Sequence, residues 1–251
     1  MGSCEFEINQ LKKNYMFNKN CLLLCFVCIL AVNPFWMQAQ SDNTLSSAEK
    51  KAGWILLFDG KTTDQWRPYQ NKPSDGWEIV NGELHCKETG VAHRADLTSK
   101  DEFGDFELSF DWKVGKGANS GVIYRANEEH GASHESASEY QLIDDIGYPG
   151  KLESWQHSGA DYDMHPPASI ASKPAGEYNH SVIKAKGRNV EHWLNGVMVA
   201  KYEIGTPEWR ELKAKSKWKD IAGWGENSKG HICLQDHGGG VWFKNIKLRK
   251  L

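Results

Sequence analysis

Residues 106–114 are Phe-Glu-Leu-Ser-Phe-Asp-Trp-Lys-Val, a stretch in which large apolar side chains alternate with polar ones. A period of two places the apolar side chains on one face of an extended chain and the polar ones on the other. The stretch is therefore predicted to be a β-strand with one buried face and one exposed face.

Turn signals on both sides of this strand extend the β pattern. The dipeptides Asn81-Gly82 and Asn195-Gly196 each separate two strand-like segments, and Asn-Gly strongly favours a tight β-hairpin. About ten strands are predicted, at 54–58, 77–80, 83–86, 106–114, 122–125, 140–143, 180–186, 190–194, 197–202, 230–234 and 241–248. Only 207–217 is predicted to be helical, with Pro207 near its start. This pattern predicts an all-β jelly-roll β-sandwich.

Charge and composition exclude some classes of function. The 251-residue chain has a formal net charge of -3, so it lacks the excess of Lys and Arg that binding to nucleic acid requires. A quarter of the residues are charged, which is typical of a soluble globular protein and not of one with many membrane spans.

The N-terminal segment is predicted to be a signal peptide. Lys12, Lys13 and Lys19 precede an uncharged apolar run at 21–32, which is short for a membrane span. We expect cleavage near Gln40, although the translation start could be Met1 or Met16. The predicted organisation is a signal peptide at 1–39, a lead-in at 40–52 and one domain at 53–251. It predicts a periplasmic or secreted protein without a stable membrane anchor.

Two cysteines remain after removal of the signal, Cys86 and Cys233. An exported protein can form disulfides, and both residues lie in strand-like segments. The sequence leaves a disulfide and two buried thiols as equal alternatives.

Candidate binding residues lie in three strand-like segments. Alternation places Asn119, Gly121 and Arg125 on one face of the first, Glu139 and Gln141 on the polar face of the second, and Gln235 and His237 on one face of the third. Amide, imidazole and guanidinium groups bind sugar hydroxyls well, and such residues on neighbouring strands would line a concave sheet surface. Each also has a simpler interpretation, since Arg125 could pair with Asp111 or Glu107 and the others could be solvated.

Five segments, at 57–62, 119–125, 139–144, 192–196 and 230–246, resemble in order the landmarks of one bacterial family. This family is named for 3-keto-disaccharide hydrolysis and includes 3-keto-glucoside lyases and 3-keto-2-hydroxyglucal hydratases. The resemblance covers residues 53–251. It implies a concanavalin-like or laminarinase-like jelly roll with a concave binding face, and a 3-keto glucoside or disaccharide as substrate, oxidised at C3 by a separate dehydrogenase.

The chemistry implied by this resemblance is a β-elimination. A ketone at C3 acidifies the C2 proton, so a base can remove it, the C1 oxygen can leave and water can add to the enone. Glu139 is the expected base or acid, and His237 is the alternative base. Arg125 and Gln141 are expected to orient the substrate, with Asn119, Asp144 and Gln235 as further binding residues. Glu139, Asp144 and His237 could form a divalent metal site, although their spacing matches no zinc signature.

Two other functions share the predicted fold. One is a non-catalytic glycan-binding domain, and the other is a conventional endo-glucanase. A retaining glucanase needs two carboxylates about 5–5.5 Å apart. The positions after Glu139 on its face are Gln141 and Ile143, which can serve neither as acid nor as nucleophile, so the strand favours elimination.

Overall fold

The computed structural model describes residues 41–251, so the predicted signal peptide and its cleavage site lie outside the described residues. The strands in this part of the chain are β1 (Ile55–Leu56), β2 (Trp66–Pro68), β3 (Trp77–Val80), β4 (Glu83–Cys86), β5 (Leu97–Ser99), β6 (Phe106–Val114), β7 (Asn119–Ala126), β8 (Glu139–Ile143), β9 (Asn179–Lys186), β10 (Asn189–Leu194), β11 (Val197–Glu203), β12 (His231–Leu234) and β13 (Val241–Lys250). The helices are α1 (Ser47–Lys51) and α2 (Pro207–Lys215).

The strands form two antiparallel sheets. The larger sheet has the order β11-β10-β9-β6-β13-β4-β3, with β1 also paired to β13. The smaller sheet has the order β2-β5-β12-β7-β8. This architecture confirms the predicted all-β jelly-roll sandwich. The short strands β2 and β5 were not predicted, because three residues are too few to show alternation.

The core lies between the two sheets. Phe106, Leu108, Phe110, Trp112 and Val114 are all buried, which confirms the apolar face predicted for β6. The ring of Phe110 packs edge-on against Tyr140 of the smaller sheet, with centroids 5.9 Å apart. These contacts join the sheets and fix which face of each strand points inward.

Local signals set the hairpins and the longer helix. Asn81 and Gly82 have φ angles of 53° and 80°, and Asn195 and Gly196 have 49° and 84°. These left-handed values are those of the tight hairpin turn that Asn-Gly predicts. The helix α2 begins at Pro207, as predicted, and ends at Lys215, two residues before the predicted end.

The predicted lead-in is part of the folded unit. The backbone N–H of Asn43 donates to Oδ1 of Asn245 at 2.6 Å, and the N–H of Asn245 donates back to Oδ1 of Asn43 at 2.8 Å. Lys247 also forms an ion pair with Glu49 of α1. The structural boundary therefore precedes residue 53, because this polar segment uses side chains that sequence periodicity does not reveal.

The two cysteines of the domain are free, buried thiols. Cys86 belongs to the larger sheet and Cys233 to the smaller one, where Sγ lies 3.4 Å from Oγ1 of Thr98. Burial raises the pKa of both thiols well above its ordinary value. The structure thus selects one of the two alternatives that the sequence left open.

None of the helices within residues 41–251 has the length and apolar character needed to cross a bilayer.

Candidate active site

The candidate site lies on the face of the smaller sheet that points away from the core. The hydroxyl of Tyr140 reaches across the core to Oγ of Ser181, 2.9 Å away, so Tyr140 faces the larger sheet. Alternation then turns Glu139 and Gln141 to the opposite face, as predicted. Gly121 of β7 is paired with Gln141 of β8, and the carbonyl of Gly121 accepts a hydrogen bond from the backbone N–H of Gln235 at 2.9 Å. Glu139, Gln141 and Gln235 therefore meet around Gly121.

The absence of a side chain at Gly121 makes room for Glu139. A Cβ atom at position 121 would lie 2.3 Å from Oε1 of Glu139 and 2.8 Å from its Cδ. Such distances are well inside van der Waals contact, so no other residue could occupy this position with Glu139 in place. Glu139 is buried there, with 4% of the residue exposed.

Burial controls the protonation of Glu139. The pKa of this carboxyl is raised to about 8, chiefly by burial and in part by the neighbouring carboxylates of Asp96 and Asp161. The ammonium of Lys217 and the side chain of Gln235 act in the opposite direction. At pH 7 the Glu139 carboxyl is therefore mostly in its protonated form. A carboxyl with such a pKa is suited to proton transfer near neutral pH.

The loop after β8 covers this edge of the sheet. The N–H of Gln141 donates to the carbonyl of Ala160, and that of Tyr162 donates to the carbonyl of Glu139, at 3.1 and 3.0 Å. His192 holds the same loop from below, because its Nδ1 lies 3.0 Å from the carbonyl of Gly159. Burial lowers the pKa of His192 to about 4, so this imidazole is neutral and structural.

Three amide side chains of the site have buried atoms without a protein partner. Both polar atoms of Gln141, Oε1 of Gln235 and Oδ1 of Asn119 make no hydrogen bond within residues 41–251. A buried polar group without a partner is costly, on the order of 1–3 kcal/mol. These groups are therefore available to bind water or the hydroxyls of a ligand.

Two cavities adjoin these residues, and His237 lines both. One, of about 210 Å³, is lined by Gln235, Asp96 and His134 among others. The other, of about 270 Å³, is lined by Asn119, Tyr148 and Pro149 among others. His237 is an exposed residue, in contrast to the buried Glu139.

Arg125 does not join the site, in contrast to the prediction. It has a φ of 58° at an irregularity in the pairing of β7 with β12, which breaks the alternation. Its guanidinium donates to the carbonyls of Gly104 and Gly187 and forms an ion pair with Asp105. Neither Asp111 nor Glu107, the partners considered from the sequence, is used. Arg125 joins loops at another cavity, which Asp105 and Gly187 also line, and the structure does not bring it to the residues around Glu139.

Asp144 is also occupied structurally. Its Oδ2 accepts the N–H of Gly117, and its Oδ1 accepts those of Ile146 and Gly147. These bonds lower the pKa of Asp144 against the opposing effect of burial. Both oxygens of Asp144 thus hold backbone groups of the turn after β8.

The predicted metal set is not assembled. No group of three or more His, Cys, Asp or Glu side chains that could hold a metal occurs within residues 41–251. Asp144 is committed to a turn, and His237 is exposed while Glu139 is buried. The geometry therefore does not support a site formed by these three residues.

The structure adds three residues that the sequence did not indicate, namely Asp96, His134 and Lys217. Asp96 is half-buried, and its carboxyl accepts the hydroxyl of Ser133 and the N–H of Asp236. Burial raises the pKa of Asp96. The ammonium of Lys217 lies 4.3 Å from the ring centroid of Tyr162 and 4.2 Å from that of Trp218. All three lie in connecting segments, where periodicity gives no signal.

The fold and the site define a β-sandwich protein with a buried acid on one sheet face, surrounded by free amides. Residues 53–249 match the model of the 3-keto-alpha-glucoside-1,2-lyase-like domain family. Because this match spans most of the chain, the protein belongs to that family, as the sequence motifs indicated.

Individual relatives agree with this assignment. A protein of Bacteroides thetaiotaomicron named 3-keto-disaccharide hydrolase is 34% identical, over 86% of this chain and 84% of its own length. A crystal structure of a candidate glycosyl hydrolase from Parabacteroides distasonis is 35% identical, with a TM-score of 0.78, over 84% of this chain and all of that one. A second such structure from the same organism is 26% identical, with a TM-score of 0.61, over 79% and 99% of the two chains.

The raised pKa of Glu139 makes stability depend on pH. Between the ordinary pKa of 4.5 and the folded value of about 8, the folded state keeps a proton that the unfolded state has lost. The stabilisation is complete below pH 4.5 and is lost as pH rises to 8. At about 1.4 kcal/mol for each pKa unit, the loss is on the order of several kcal/mol. Glu139→Gln should remove it, and urea unfolding from pH 4.5 to 8.5 measures the change.

The exposed Glu129 supplies the control for this measurement, because Glu129→Gln should leave the pH dependence of unfolding unchanged. Identical slopes in Glu139→Gln and the parent protein would contradict the assigned burial of the carboxyl.

Proposed function

We propose that this protein cleaves the glycosidic bond of 3-keto-glycosides by removal of the C2 proton and β-elimination, followed by addition of water to the enone. The observation that carries the proposal is the Glu139 carboxyl, buried over Gly121 and protonatable near neutral pH. Elimination needs proton transfers to and from carbon and oxygen, and such a group supplies them. The name of the family and of its curated relative support the same substrate class.

The surroundings of Glu139 favour elimination over double displacement. Its neighbour on the same face is Gln141, which is neither an acid nor a nucleophile. The carboxylate of Asp96 is near enough to raise the pKa of Glu139, but its two oxygens already accept hydrogen bonds from Ser133 and Asp236. A retaining glycosidase needs a free carboxylate as nucleophile. The proposal therefore assigns one acid–base carboxyl, with the C3 ketone providing the acidity of the C2 proton.

The free amides fit a polyhydroxylated ligand. Gln141, Gln235 and Asn119 offer donors and acceptors without protein partners, and these can bind the hydroxyls of a sugar ring. The ketone itself would be made by a separate dehydrogenase that oxidises C3 before the sugar reaches this site.

The first prediction concerns substrate selectivity. A 3-keto aryl glucoside should be cleaved, and the parent aryl glucoside should not be cleaved at a detectable rate, because only the ketone acidifies C2. Release of the aryl alcohol measures both reactions. Equal rates on the two substrates would support a conventional glucanase and contradict elimination. Binding of the keto sugar without turnover would support a glycan-binding domain.

A further prediction concerns Gly121. Gly121→Ala places a methyl group where the Glu139 carboxyl lies, so cleavage of a methyl 3-keto-glucoside, whose leaving oxygen needs a proton, should fall by roughly two orders of magnitude. Gly104→Ala is the matched control, since a Cβ there would lie 3.5 Å from the carbonyl oxygen of Ser228, which is an ordinary van der Waals distance. Circular dichroism should show both variants folded. Full activity in Gly121→Ala would remove Glu139 from the mechanism.

We also propose that the protein is exported and that residues 1–39 are its signal peptide. The basic residues and apolar run of that segment support this location. Intact-mass measurement of the protein from its native host should place the first residue near Gln40. A first residue at Met1 or Met16 would contradict export with cleavage.

A further inference from the structure

His134 is held firmly in the wall of the 210 Å³ cavity. It lies in a short 3-10 turn, Ser133–Glu135, between β7 and β8. The indole N–H of Trp224 donates to its carbonyl at 2.8 Å, and its ring packs against Trp218 with centroids 5.9 Å apart. The hydroxyl of Ser133 ties the same turn to Asp96. The position of the imidazole is thus set by packing on two sides.

The ring nitrogens of His134 nevertheless have no hydrogen-bond partner among residues 41–251. Gln235 lines the same cavity as His134 and also interacts with the buried carboxyl of Glu139. An imidazole without a hydrogen-bond partner in the described part of the chain thus lines one cavity with an amide that interacts with a buried acid, which is an arrangement suited to acid–base catalysis.

The surroundings of His134 and Glu139 shift the pKa values of these two side chains in opposite directions. Burial, and then the ammonium of Lys217, lower the pKa of His134, so its imidazole is neutral and has a free lone pair. Burial has the reverse effect on Glu139, whose pKa it raises. Two groups whose surroundings move their pKa values in opposite directions are suited to opposite proton-transfer roles. At neutral pH the imidazole can accept a proton while the carboxyl can donate one.

We infer that His134 is the base that removes the C2 proton and that Glu139 is the acid that protonates the departing glycosidic oxygen. This inference rests on the proposed function and assigns its two proton transfers. It differs from the sequence-based expectation, in which Glu139 or His237 was the base. His237 is exposed, whereas His134 is half-buried in the wall of the cavity that Gln235 also lines.

The proton transfers balance over the full reaction. The C2–H bond breaks to His134, and its electron pair forms the enolate of the C3 ketone. The C1–O bond then breaks, a C1–C2 double bond forms, and Glu139 gives its proton to the leaving oxygen. In hydration, Glu139 takes a proton from water as the oxygen bonds to C1, and the imidazolium of His134 returns a proton to C2. Both residues end in their starting states.

The test separates proton removal from departure of the leaving group. Each protein is incubated in D₂O with a methyl 3-keto-glucoside and, separately, with a 4-nitrophenyl 3-keto-glucoside. NMR measures deuterium exchange at C2. The amount of methanol or nitrophenol released measures cleavage. Because nitrophenolate leaves without a proton, an acid is needed only for the methyl glycoside, whereas a base is needed for both.

His134→Gln should lower C2 exchange and the cleavage of both substrates by roughly a hundredfold or more. In Glu139→Gln, the rates of C2 exchange and of nitrophenyl glycoside cleavage should stay within about tenfold of the parent protein. The rate of methyl glycoside cleavage should fall by roughly a hundredfold. His130→Gln, on the same loop, is the matched control and should change neither reaction. Added imidazole should partly restore C2 exchange in His134→Ala, which a purely structural role would not allow.

Three results would overturn the inference. They are C2 exchange at the parent rate in His134→Gln, loss of exchange and of nitrophenyl cleavage in Glu139→Gln, and loss of exchange confined to His237→Gln. Each of them leaves selectivity for the 3-keto substrate intact, so the proposed function would stand. Failure of the parent protein to exchange C2 or to cleave either 3-keto substrate would instead reject the proposed function itself.

Discussion

The site depends on keeping an ionisable carboxyl out of water against the face of a β-sheet. Glu139 can lie there only because Gly121, on the adjacent strand, has no side chain in the space that the carboxyl fills. Removing a carboxylate from water favours its protonated form, so the position of the side chain and its chemistry have the same cause. The surrounding structure must then hold β7 and β8 in register, since a shift of one residue would place an inward-facing side chain against Glu139.

The rest of the molecule supplies that rigidity. Tyr140 anchors β8 to the larger sheet through Ser181, and His192 anchors the loop that borders β8 through Gly159. The stacked rings of Trp218 and Trp224, 4.8 Å apart, support the opposite wall of the cavity. Large buried rings fill the core between the sheets, and the outer face is left to polar groups. The two faces of one sheet thus serve stability and function separately.

Arg125 and Asp144 show how sequence alternation can fail within segments that otherwise follow it. Both residues lie where the chain leaves regular pairing, at an irregularity in β7 and in the turn after β8. At such points the backbone presents N–H and C=O groups that strands no longer satisfy, and a nearby polar side chain binds them. Arg125 satisfies carbonyls, and Asp144 satisfies N–H groups. Their residue types suggested ligand binding, but their positions required backbone capping.

The sequence alone determined the sandwich, the two Asn-Gly hairpins, the helix at Pro207 and the outward face that carries Glu139, Gln141 and Gln235. Each of these follows from a local rule, either the period of two or the left-handed conformations of a tight turn. Only the tertiary structure decided that Asp96 and Lys217 lie near Glu139, that His134 lines a cavity with Gln235, and that Cys86 and Cys233 form no disulfide. These relations connect segments far apart in the chain through loops without periodicity, and the protonation of Glu139 depends on burial that no local pattern records.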